Sequence, residues 1–141
     1  MKVFIRNIIS FIFTVFIGSV INMMLIELGN YLFPIKGIDP NDIDAYIKIV
    51  PSLNAEFFLF PFLAHAIGTF LASFLCVLIA FNHKLKLSII IGVLFLSGGI
   101  YMSIIIPAPF WFIFIDLIFA YIPMALLAWK TATVILNKNR T

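Results

Sequence analysis

Two side chains in this sequence could hold and release a proton from deep within an apolar stretch: His65 and Asp116. Asp116 lies seven residues beyond Pro109. That is ~10 Å along a helix, a depth at which an unpaired carboxylate costs about 3 kcal/mol in hydrocarbon. His65 follows Asn54 by eleven residues, roughly 16 Å at helical rise. Asn22, Ser97 and Tyr101 fall in the same half of the apolar stretches, and Glu27 lies nearer their edge as a peripheral candidate.

Two uses fit this set. One is a proton-titrating or solute-contacting site within a single leaflet. The other is a structural lock, in which His65 and Asp116 bond to each other or to Ser97 and Tyr101. Bonds of that kind between spans are common and contribute about 0.6 kcal/mol on average. A metal site would need three ligands at one depth. Only His65, Asp116 and Glu27 could supply them, because His83 belongs to a basic turn at the opposite end. Ser73 and Ser97 stand in no nucleophile motif, and Gly98-Gly99 lies within a helix, so it is not a phosphate-cradling loop. We therefore expect no catalytic residue, metal or cofactor.

Helices long enough to cross a bilayer must position these groups. The chain has 141 residues, 64% hydrophobic, with a mean hydropathy of +1.20. Such a composition requires lipid as solvent. Apolar stretches at about 4–31, 56–81, 87–106 and 110–135 each meet the ~20 residues that a spanning helix needs. The first resembles a secretory signal, but it is too long and has no small-x-small cleavage site, so it reads as a retained span.

Seven of the nine Lys and Arg residues sit at Lys2, Arg6, Lys84, Lys86, Lys130, Lys138 and Arg140, between or outside alternate stretches and with no acidic neighbour. The excess of cations on one side predicts both termini in the cytoplasm. These cations flank spans and form no patch interleaved with stacking aromatics, which argues against nucleic acid as a partner. The one cysteine, Cys76, cannot form an intramolecular disulfide. It reads as a small core residue.

Between the first two spans, Asp39 before Pro40 reads as a helix cap. Ile43, Tyr46, Ile47 and Val50 then recur at helical spacing, which predicts a short amphipathic helix on the outer surface. Ser52 or Asn54 should cap the second span, and Pro61 is placed to kink it. Trp111 and Trp129 bracket the fourth span at aromatic-belt separation.

Small residues recur along one face of each of the first three spans, at four-residue steps in the first two. The first carries Ser10, Thr14, Gly18 and Asn22; the second carries Ala64, Gly68, Ala72 and Cys76; the third carries Ser88, Gly92, Gly99 and Ser103. Helices in lipid associate through such stripes, which here mark either the bundle interior or an oligomer face.

The strings FPFLAHAIGT at 60–69, SGGI at 97–100, PAPFWF at 107–112 and DLIFAYIPMA at 116–125 together resemble a family of small four-span bacterial inner-membrane proteins. The similarity covers the last three spans and, more loosely, Gly18 to Asn22. It implies a membrane bundle and brings no reaction, so no site residue transfers. Small multidrug exporters look different. Their carboxylate sits midway along the first span, where this chain has Thr14 to Gly18.

The expected fold is thus an all-α membrane protein: a four-transmembrane-helix bundle with cytoplasmic termini and one outer amphipathic helix. The leading functional expectation is small-solute or proton-linked transport through the polar cluster, in a homo-oligomer or beside another membrane protein. An accessory subunit is the alternative, and a membrane-embedded enzyme ranks third.

Overall fold

The computed structural model describes residues 2–39 and 42–138, and among them every regular element is helical. Six α-helices form the chain: α1 Lys2–Leu32, α2 Ile43–Ile49, α3 Leu59–Ile79, α4 Lys84–Ile105, α5 Phe110–Phe119 and α6 Ile122–Lys138. Four helical stretches are long and apolar enough to cross a membrane: α1, α3 with the 3-10 turn before it, α4, and α5 with α6.

Local chemistry explains most of the boundaries. The Phe33 amide closes α1 on the Gly29 carbonyl at 2.8 Å, and Pro34 cannot extend the ladder. Gly37, at φ +80°, then turns the chain. The short helix α2 is capped by Asp42, whose carboxylate accepts the Ala45 amide at 3.0 Å. The cap expected at Asp39 is therefore displaced by three residues, and Pro40 and Asn41 lie outside the described residues. Ser52 does not cap the second span. Its hydroxyl donates back to the Ile49 carbonyl at 2.8 Å, while Asn54 holds the cap position without a side-chain bond.

Pro61 does not break α3. It sits in the first turn, where its missing N–H matters least, and the irregularity falls just before it as the 3-10 turn Ala55–Phe58.

The fourth span, expected as one helix over 110–135, is two. Pro123 offers no N–H to the Phe119 carbonyl, and in a continuous helix its ring would collide with that oxygen. Ala120 and Tyr121 form a turn instead, and Pro123 becomes the second residue of α6. The Tyr121 carbonyl then starts the new ladder by accepting the Ala125 amide at 2.9 Å.

Helix α3 is the centre of the bundle. It packs against α1, α4 and α6; α4 also packs against α6, while α1 and α4 scarcely meet. The expected stripes form these contacts. A Cβ on Gly18 would lie 2.6 Å from the Ala72 Cβ and 2.7 Å from the Gly68 carbonyl oxygen, so the α1 and α3 backbones touch there. Gly92 of α4 stands against Ala125 in the same way, at 2.9 Å. The Ser88 hydroxyl donates to the Ala125 carbonyl at 2.7 Å, a hydrogen bond between helices of the kind that secures spans in lipid. On α6, Ala125, Ala128 and Ala132 are all buried and complete the stripe set; the sequence reading had assigned none to this span.

The two ends close differently. At the loop end, Val50, Phe58 and Phe112 form a buried cluster, with Tyr46 and Leu53 packed against it, which fastens α2 to the bundle. At the end that carries both termini, α1 grips the α3–α4 turn. The Asn7 amide group donates to the Asn82 side chain at 2.6 Å and its oxygen accepts the Phe81 amide at 3.0 Å. Arg6 and Lys84 donate to the Ile79 and Val77 carbonyls at 2.9 and 2.7 Å. These cations satisfy the last carbonyls of α3, where its dipole is negative.

Candidate functional site

The break in the fourth span builds the site. Asp116 lies on the last part of α5, and Tyr121 lies in the turn that Pro123 enforces, so the phenol folds back toward the carboxylate. Its hydroxyl donates to Asp116 Oδ2 at 3.0 Å. From α3, His65 Nδ1 lies 2.9 Å from both Asp116 oxygens. The imidazole also stacks on the Tyr121 ring, with centroids 5.6 Å apart and planes 28° from parallel.

An ionised carboxylate only accepts, so opposite it Nδ1 donates, and in the neutral imidazole Nε2 is then the acceptor nitrogen. Asp116 and Tyr121 are 4% and 1% exposed, and among the described residues the ion pair found for the carboxylate is with His65. Its compensation is thus two hydrogen-bond donors and, when His65 is protonated, the imidazolium. Both sequence candidates for proton chemistry meet, as expected of a bonded pair.

Beside this cluster is a broad, open cavity of about 500 Å³, bordered by the exposed Ser19, Leu94, Gly98, Tyr101 and Met102. His65 and Tyr121 form its inner wall; Ser19 and Asn22 of α1, and Phe95, Gly98, Gly99 and Tyr101 of α4, form its sides. Because α1 and α4 scarcely meet, it opens through the flank between them. Gly99 has a specific task here. A Cβ at that position would collide with the Tyr121 hydroxyl, so glycine makes room for the phenol that holds Asp116.

The remaining candidates separate from the pair. Ser97 is exposed, and its hydroxyl turns to the Leu94 carbonyl of its own helix at 2.7 Å, so it does not join the cluster. Tyr101 does not bond to the pair either; it stands at the cavity mouth, 64% exposed. Asn22 lines the cavity, with its Cβ against Gly68. Glu27 is exposed on α1 away from the cavity, and no group of three metal-ligating side chains converges among the described residues.

Sequence reasoning missed Tyr121. The available signal was a tyrosine five residues after an intramembrane aspartate, with a proline two residues further on. The hydroxyls of Thr69 and Ser73, one and two turns along α3 from His65, are buried without partners and extend its polar face toward the terminal end.

The arrangement can hold a proton at His65, present a lone pair to the cavity, and keep the carboxylate behind it away from water. No protein-family model, curated protein or solved structure matches this chain.

Proposed function

We propose that this chain is a small multi-pass protein of a bacterial cytoplasmic membrane, with both termini inside, which binds a small solute in the flank cavity and exchanges it against a proton on the His65–Asp116 pair. The observation that carries this reading is the position of His65. One ring nitrogen lies on a buried carboxylate and the ring itself faces a cavity large enough for a ligand. A purely structural lock needs no such cavity beside it.

The test is access. In a Cys76→Ala background, Ser19→Cys and Gly98→Cys should react with a water-soluble maleimide, while Ile91→Cys, at a fully buried position, should not. If neither cavity position reacts, the solute-site reading falls.

A second reading, an accessory subunit that docks on another membrane protein or on a second copy, is favoured by Gly98. This glycine has no atom within 4 Å of where a Cβ would be, and it lies on the exposed side of α4, where a neighbouring helix could approach closely. Rapid disulfide dimerisation of Gly98→Cys, with loss of maleimide labelling, would favour that alternative.

A further inference from the structure

We infer that the solute of this cavity is a lipophilic ammonium: a molecule with a protonated amine head and an apolar body that enters sideways from the bilayer between α1 and α4. The inference rests on the solute-site reading and deepens it.

The direction of the hydrogen bonds carries the argument. Three polar groups on the cavity wall have already spent a proton elsewhere. The Tyr121 hydroxyl donates to Asp116, His65 Nδ1 donates to the same carboxylate, and the Ser19 hydroxyl donates to the Val15 carbonyl at 2.9 Å. Tyr121 is 1% exposed and keeps its oxygen within the cluster, so what the cavity can still offer a ligand is the Nε2 lone pair of a neutral His65 and the Ser19 oxygen, both acceptors. Asn22 presents either polarity.

A ligand carboxylate or phosphate would meet acceptors with acceptors, in front of a buried aspartate. An ammonium would bring donors to both and a positive charge toward Asp116. The walls fit the rest of such a molecule. Phe95 and Tyr101 supply aromatic rings, which attract cations, and Val15, Leu94 and Met102 supply apolar surface for the body. A volume of about 500 Å³ suits a single small ligand. Finally, α1 and α4 scarcely meet, and the exposed Ser19 and Gly98 border the opening between them, which leaves a side entrance for an amphiphile. A bound ammonium and a protonated imidazole would both neutralise Asp116, so one displaces the other, which is the exchange proposed above.

Photolabelling of the full chain in phosphatidylcholine nanodiscs tests this directly. The probe is an alkylamine with a diazirine in its chain, and the competitors are dodecylamine, dodecanoate and ethylamine. Labels should concentrate in residues 15–22 and 94–102. Dodecylamine should compete, with dodecanoate and ethylamine about tenfold weaker or worse. His65→Phe should abolish the competed signal.

Because that substitution leaves Asp116 short of a donor and can unfold the chain, Gly98→Trp provides a second arm. It adds bulk where no atom stands and should block labelling with the cluster untouched. Labels spread over the lipid-facing residues Phe13 and Phe16 and indifferent to Gly98→Trp would overturn the inference, as would equal competition by dodecanoate. If Ser19→Cys and Gly98→Cys still react with maleimide in that case, the cavity remains a solute site and only the ammonium assignment is lost; if they do not, both readings fall.

Discussion

Replacing His65 by phenylalanine should be far more damaging than the loss of one hydrogen bond, and the excess should vanish when Asp116 is replaced as well. In the folded chain Asp116 has two donors, His65 Nδ1 and the Tyr121 hydroxyl. Removing the imidazole leaves a carboxylate 4% exposed with the phenol alone. Breaking a buried pair in this way costs about 3–5 kcal/mol, mostly as the penalty of the charge left behind. Asp116→Leu makes the opposite error. It leaves the Tyr121 hydroxyl and the imidazole N–H without an acceptor, at about 1–3 kcal/mol for the buried hydroxyl and less for the imidazole, whose side chain is 19% exposed.

In the double variant the orphaned charge is gone and only the phenol lacks a partner. Its cost should fall short of the sum of the single costs by about 3 kcal/mol, the penalty of the orphaned charge. That exceeds the ~0.6 kcal/mol average for bonds between spans, because this acceptor is ionised and takes bonds from two donors. The four proteins should be compared by reversible denaturation in mixed micelles, with secondary structure followed throughout. Additivity within about 0.5 kcal/mol would refute the coupled cluster.

Other outcomes follow from the packing and the charges. Gly18→Leu and Gly92→Leu should each lower the unfolding temperature in detergent by the equivalent of about 1–3 kcal/mol, because their new Cβ atoms would lie 2.6 and 2.9 Å from alanine Cβ atoms; Gly98→Leu, with open space around it, is the control. Asn7→Ala should destabilise by about 1–2 kcal/mol through loss of the Asn82 and Phe81 bonds, and Asn82→Ala should recover little of it. A reporter fused after Thr141 should read cytoplasmic and a tag inserted at Gly37 external, and an external C-terminus would overturn the threading. Lys86→Glu should loosen that threading without a stability cost, whereas Lys84→Glu should carry both effects because its ammonium also bonds the Val77 carbonyl.

The parts of this molecule that obey period and length were legible in the sequence. Spans show as apolar runs, and the stripes through Gly18, Gly68 and Gly92 show as small residues at helical steps. The pairing of His65 with Asp116 was within reach because two ionisable groups at similar depth in lipid have few other partners. Tyr121 was not, since a tyrosine in a chain this rich in aromatics carries no signal until the break in the fourth span is known. Pro61 lies in a first turn, where its missing N–H is tolerated, and the break falls instead at Pro123. The grip of Asn7 on Asn82 joins residues 75 apart, and no local pattern announces a contact at that separation. The cap lies at Asp42, three residues beyond the first aspartate, because its carboxylate accepts the Ala45 amide at 3.0 Å.

The grip at the terminal end also bears on the order of assembly. Its bonds tie Arg6 and Asn7 to residues 73–75 positions later, so the first helix made cannot be fastened there until the turn after α3 has left the ribosome. Until then the small face of α1, with Gly18 at its middle, is bare to lipid, and its principal partner α3 has yet to be synthesised. The first span must therefore hold its place in the bilayer by its own length and apolarity, and its 31 residues are enough for that. A chain that had emerged only as far as Ile79 would have α1 packed along α3 but the Asn7 latch open, and the latch would close only when Phe81 and Asn82 emerged.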